Sequence, residues 1–178
     1  MWVETNKVFL QNQRGEIIGI LGTYEDITER IKAQEKLNQQ QKTLRAILDN
    51  APIWIWMTNI NGKMQFVNKT LCENLGIAES KFFQVENYDQ FLTKKEAETI
   101  HNYDTICWQN ETKYHSEETF TFVDKKQHHL EIIKVQIKDD ANQVLGIISL
   151  GLDITDNKQA QQKLQESESK FRQIARHE

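Results

Sequence analysis

Apolar residues cluster at Trp2-Val3 and Val8-Phe9-Leu10 and again over residues 17–24, with the polar stretch Asn12-Gln13-Arg14-Gly15 between them. That pattern predicts two strands joined by a turn. Two strands alone are marginal in water, so this hairpin is expected to be poorly anchored unless it pairs with another copy or packs on the neighbouring helix. From Glu29 to about Asn50 no Gly or Pro intervenes, and Ala33, Leu37, Gln40, Leu44, Ile47 and Ala51 step at alternating spacings of four and three. The spacing predicts a helix carrying a narrow heptad seam, which Gln40 interrupts. Such a helix either pairs with a second copy or lies as a solvated linker on its own domain. Pro52 ends it.

Beyond Pro52 the period shortens. Residues 53–57 and 64–68 predict two strands around the Asn59-Ile60-Asn61-Gly62 turn. Lys69 to Leu75 predicts a short helix stopped by Gly76. Ala78 to Leu92 predicts short helical turns, and Thr93 to Asn110 a longer helix with Thr93 as cap and Glu96 in the capping-box position. Residues 114–123, 127–137 and 143–152 predict three long strands, and a polar exit helix follows. The order predicts an α+β domain with a five-stranded antiparallel sheet, its helices on one face, flanked by long helices at both ends.

Sliding the sequence along itself by 127 residues places Gly19 on Gly146 without a gap. Glu4 then meets Glu131, Lys7 meets Lys134, and Val8 meets Val135. Asp26-Ile27-Thr28 meets Asp153-Ile154-Thr155, and Lys36-Leu37 meets Lys163-Leu164. A register held across two strands and a helix marks a repeat. It divides the chain into a C-terminal hairpin of a truncated preceding module (1–28), a linker helix (29–51), one complete domain (52–155) and an exit helix leading to the next module (156–178).

Composition narrows the setting. The formal net charge of −4 gives no general pull towards nucleic acid or anionic membrane. No apolar run approaches the length of a bilayer span, so direct membrane insertion is not expected. The two cysteines, Cys72 and Cys107, form no spacing motif, which favours a reduced, cytoplasmic location.

The order of elements, Phe66-Val67-Asn68 closing the second strand, and the Gly146…Asp153-Ile154-Thr155 ending resemble a PAS domain of the sensor type, with the segment called the PAC motif. The resemblance implies a sheet cupped around helices, an interior able to hold a small ligand, and a signal-transduction role. It further implies that the flanking helices connect sensor to effector, usually the histidine kinase of a two-component system, sometimes a nucleotide cyclase or phosphodiesterase. On that reading Asp26, Thr28, Asp153, Ile154 and Thr155 couple strand to helix, with Asp153 and Thr155 satisfying the amides of the first helical turn. Candidate pocket residues are Trp56, Phe66, Asn68, Phe91, His101, Trp108 and Phe120, in a pocket either occupied or closed. Leu37, Leu44, Ile47, Leu164 and Phe171 form the expected homodimer seam.

No catalytic constellation or metal site is expected. His128 and His129 are strand neighbours and point to opposite faces. Haem through His101, or flavin, is not supported by a motif, and the cofactor stays unknown. His177 before Glu178 stands where a phosphoacceptor could, although the repeat register instead places this stretch at the start of another module.

Overall fold

The structure, a computed structural model, describes residues 1–86, 88–109 and 113–174. The chain falls into two compact units, Met1–Ile47 and Leu48–Glu178.

The first unit holds strands β1 (Val3–Gln11) and β2 (Ile17–Asp26), paired antiparallel, and most of helix α1 (Thr28–Asn50). The turn forms because the Asn12 side chain accepts the amides of Arg14 and Glu16, while Gly15 takes a positive φ of 79°. Both strands are exposed along nearly their whole length.

The second unit is built on a sheet ordered β4-β3-β7-β6-β5, antiparallel throughout. Its strands are β3 (Trp54–Asn59), β4 (Met64–Val67), β5 (Tyr114–Thr121), β6 (Gln127–Lys138) and β7 (Val144–Asp153). Helices α2 (Lys69–Leu75), α3 (Glu79–Gln84), a 3-10 turn (Tyr88–Phe91) and α4 (Lys94–Gln109) separate β4 from β5, and α5 (Thr155–Ile174) follows β7. One face of the sheet is dry. Trp54, Trp56, Val67, Phe120, Leu130 and Ile132 pack there against Leu71, Phe82 and Ile100 of the helices. Gly146 lets β7 come close to β3, since a Cβ there would lie 2.0 Å from the Thr58 carbonyl oxygen.

Local chemistry sets the boundaries. Asn68 caps α2, and Gly76 closes it at φ 66°. Thr93 and Glu96 form the reciprocal capping box that starts α4, with the Thr93 amide donating to Glu96 at 2.7 Å and the Glu96 amide to Thr93 Oγ1 at 3.3 Å. Strand β5 stops two residues short of the expected Val123. The Phe122 amide turns to Lys126 and the Val123 amide leaves the sheet for the Asn74 carbonyl.

Asn68 governs how the chain enters the domain. Completely buried, it donates from Nδ2 to the carbonyls of Leu48 (2.9 Å) and Ile53 (2.8 Å), and accepts at Oδ1 from the amides of Ile55 (3.0 Å) and Leu71 (3.3 Å). Every donor and acceptor of the amide is used. The C-terminal end of α1, the start of β3 and the start of α2 are thereby fastened to one side chain. Lys69 and Thr70 add bonds to Asp49 and Ala51. Asn68→Ala should lower unfolding stability by about 3–5 kcal/mol, because it strands several buried backbone groups at once. Urea titration of both proteins measures this, and a loss below about 1 kcal/mol, the net worth of one ordinary hydrogen bond, would remove Asn68 as the fastening point.

Candidate functional site

Packing between the dry face and the helices leaves a cavity of about 40 Å³. Trp54, Trp56, Met64 and Phe120 form its floor; Leu71, Leu75, Phe82, Phe91, Leu92 and Ile100 form its walls. The lining residues are all apolar or aromatic, and the indole Nε1 of one of them, Trp54, is buried and has no hydrogen-bond partner among the described residues. A buried, unpaired N–H is costly. At this size the cavity holds no more than a few atoms, against 300–1,000 Å³ for typical ligand pockets.

A charged group stands beside the floor, on the face of the sheet that meets the helices. Lys134 of β6 is fully buried, its ammonium 2.5 Å from Asp104 of α4 and 5.6 Å above the centre of the Trp56 ring. Glu118 stands close by and accepts from the Ser116 hydroxyl at 2.7 Å. Burial raises the Glu118 carboxyl above the usual range, against the opposing pull of Ser116 and Lys134. The charges fix α4 over the sheet, because a cation removed from water holds its counter-ion firmly.

From Trp54 a line of contacts runs to the end of β7. Trp54 stacks on Phe122 with ring centres 5.1 Å apart, and Phe122 stacks on His128 at 3.9 Å and 8°. His128 Nδ1 is 2.7 Å from Asp153 Oδ2, and its Nε2 is 3.3 Å from Asp124 Oδ2. Asp153 Oδ1 accepts both the Thr155 amide (2.9 Å) and the Thr155 hydroxyl (2.5 Å). The same hydroxyl oxygen accepts the His129 amide of β6 at 2.9 Å, and the Ile154 amide donates to the His129 carbonyl at 2.8 Å. The start of α5 is therefore tied to two strands. On the helix's first turn, Lys158 pairs with Glu117 of β5.

This geometry corrects the cap expected from the sequence. Thr155 is the first residue of α5, and its hydroxyl turns to the sheet; of the pair, only Asp153 accepts a first-turn amide. The earlier joint repeats the bonds, the Thr28 amide donating to Asp26 (2.9 Å) and the Trp2 amide to Thr28 Oγ1 (2.8 Å). His128 was missed as a joint residue. Its link to Asp153 spans 25 positions, and no local signal in the sequence marks it.

Of the expected pocket residues, Trp56, Phe91 and Phe120 line the cavity. Phe66, Asn68, His101 and Trp108 do not. A bulge in β4 places Phe66 opposite Met57 rather than Trp56, on the other side of the sheet. Asn68 is consumed by the backbone. On α4 the stripe Ala97, Ile100, Cys107 faces inward, so His101 and Trp108, one position on, open to a separate surface cleft with Ile60. His101 there meets Asp89 at 2.6 Å. The seam residues Leu37, Leu44, Ile47, Leu164 and Phe171 are exposed. His177 lies outside the described residues. No cluster of metal-ligating side chains occurs among the described residues, and no helix of theirs is long and apolar enough to cross a membrane.

Comparison with known proteins gives a family model described as the PAS fold, which matches residues 48–159, more than half of the chain. A protein of Sinorhizobium fredii, y4lL, is 33% identical over 75 residues, covering 42% of this chain and 9% of its own length. The chain thus spans under a tenth of that relative. Among solved structures, the PAS domain of BvgS from Bordetella pertussis is similar at TM-score 0.55 and 18% identity, over 75% of this chain and 98% of its own. A PAS domain from Colwellia psychrerythraea is similar at 0.53 and 20%, over 65% and 98%. VqmA of Vibrio cholera, solved with ligand and DNA, is similar at 0.56 and 15%, over 62% and 50%. At these identities the likeness is one of fold.

Titration of His128 gives a direct check on the joint. Burial disfavours its charge, but the hydrogen bonds to Asp153 and Asp124 outweigh it, so its pKa is raised above the ordinary histidine value. Asp153 is held below the usual carboxylate range: burial opposes this, while Thr155 and then His128 enforce it. A raised histidine stabilises the fold fully below its unfolded value of about 6.5, and the contribution fades as pH rises through the folded value. His128→Phe should therefore destabilise more at a pH of about 5.5 than at about 9. Urea unfolding at both values decides, and a pH-independent difference would show that His128 carries no charge at the joint.

Proposed function

The chain belongs to the PAS-fold family, and on that premise we propose that residues 48–159 form a sensory module for a small molecule, apolar in its body and bearing one hydrogen-bond acceptor. The observation that carries this reading is the apolar cavity lined by Trp54, a residue whose buried indole N–H has no hydrogen-bond partner among the described residues. An acceptor such as a carbonyl or hydroxyl oxygen would satisfy that group. A cavity of about 40 Å³ must widen to admit such a molecule, and the helical wall is the side that yields. Trp54 is also the first ring of the stack that ends at Asp153. Widening the cavity displaces the stack and shifts the bonded start of α5. The helices α1 and α5 act as signalling elements, pairing two copies through Leu37, Leu44, Ile47, Leu164 and Phe171 as a coiled coil. The output is a downstream effector of the histidine-kinase type in the cytoplasm, in a protein longer than this chain.

Three experiments test the parts separately. Native mass spectrometry of the purified chain should release a bound small molecule. Trp54→Phe should weaken its binding by about 3–10-fold, the worth of one hydrogen bond. An unchanged Kd would exclude the indole as its reader. Asp153→Ala with Thr155→Ala should leave the chain folded and speed hydrogen exchange at the first turn of α5, while the response of the longer protein's output to its stimulus is lost. A normal response would sink the coupling role of the joint. Leu44→Glu should convert a dimer to a monomer in light scattering; equal masses before and after would exclude the α1 seam.

A further inference from the structure

We infer that the β1–β2 hairpin is a docking surface for the rest of a second domain of this same fold: counterparts of β3, β5 and the covering helices, supplied N-terminal to the hairpin in the same polypeptide. The two hairpins agree bond by bond at the offset of 127. Val3 pairs with Asp26 as Leu130 pairs with Asp153, and both registers slip at the same place, between Leu10 and Gln11 and between Ile137 and Lys138. Gly15 and Asn142, at equivalent turn positions, share a positive φ. Asn12 and Asp139 accept the same two turn amides, and the Trp2–Thr28 bond repeats the His129–Thr155 bond.

What differs is the covering. Leu130, Ile132 and Ile147, on the face of β6–β7 that meets the helices, are 0–1% exposed. On the matching face of the first hairpin, Val3, Phe9, Ile20 and Tyr24 are 44–71% exposed. Lys7, the counterpart of the fully buried Lys134, is also exposed. The edge carries the same message. Gly146 is required because β3 lies against it, whereas a Cβ on its counterpart Gly19 would meet only a leucine methyl at 4.0 Å. Gly19 has a use once a strand runs alongside β2. A free edge beside an apolar face calls for a strand with helical cover, not for a polar ligand. A second copy of this chain cannot supply that strand intact, since its own β3 is paired on both sides. The inference is independent of what the complete domain senses.

The test places a second copy of residues 48–127 directly ahead of Met1 in the full chain, the position that the offset assigns to the covering elements. Hydrogen exchange read by mass spectrometry should slow by at least about tenfold across β1 and β2 relative to the unextended chain. Gly19→Val should abolish that protection in the extended chain and leave exchange in the unextended chain unchanged. Equal exchange with and without the added segment, or protection indifferent to Gly19→Val, would overturn the proposal. Protection that develops in the unextended chain as its concentration rises would assign the face to a second copy and overturn it as well.

Discussion

The hydroxyl of Thr155 fastens the exit helix to the sheet. It accepts the His129 amide from β6 and donates to Asp153 at the end of β7, so the first residue of α5 cannot move without disturbing two strands. A helix bonded to the sheet at its first residue is held to it more closely than one that follows a free loop. The counterpart residues make corresponding bonds at Asp26 and Thr28, in the unit formed by the hairpin and most of α1.

Entry and exit are held by different chemistry. At the entry, one buried amide side chain gathers three backbone segments, and the contact is rigid because no lone pair or proton is left over. At the exit, the fastening includes a histidine between two carboxylates, so its strength follows pH and any movement of the Phe122 ring stacked on it. The entry behaves as an anchor and the exit as an adjustable link. Between them the Lys134–Asp104 pair keeps α4 seated, which leaves α2, α3 and the 3-10 turn as the part of the cavity wall free to yield.

Much of this was legible in the sequence where the controlling forces are local. The stop of α2 at Gly76 and the α4 capping box follow from residues within four positions of the backbone groups they serve. The repeat at 127 foresaw two matching strand-to-helix joints. The order of the elements foresaw an antiparallel sheet with its helices on one face. Each of these depends on spacing along the chain, and spacing is written in the sequence.

Only the tertiary structure decided what depends on contacts between distant segments. The bulge in β4 turned Phe66 away from the cavity, and a helical offset of one residue carried His101 and Trp108 to another surface. Asn68, a plausible pocket group by its polarity, is taken by the carbonyls of Leu48 and Ile53. His128, unremarkable beside His129, becomes part of the joint because β6 and β7 are in register over residues 130–153. A sequence states which groups a residue offers; which partners use them depends on a register and a packing that no short window contains.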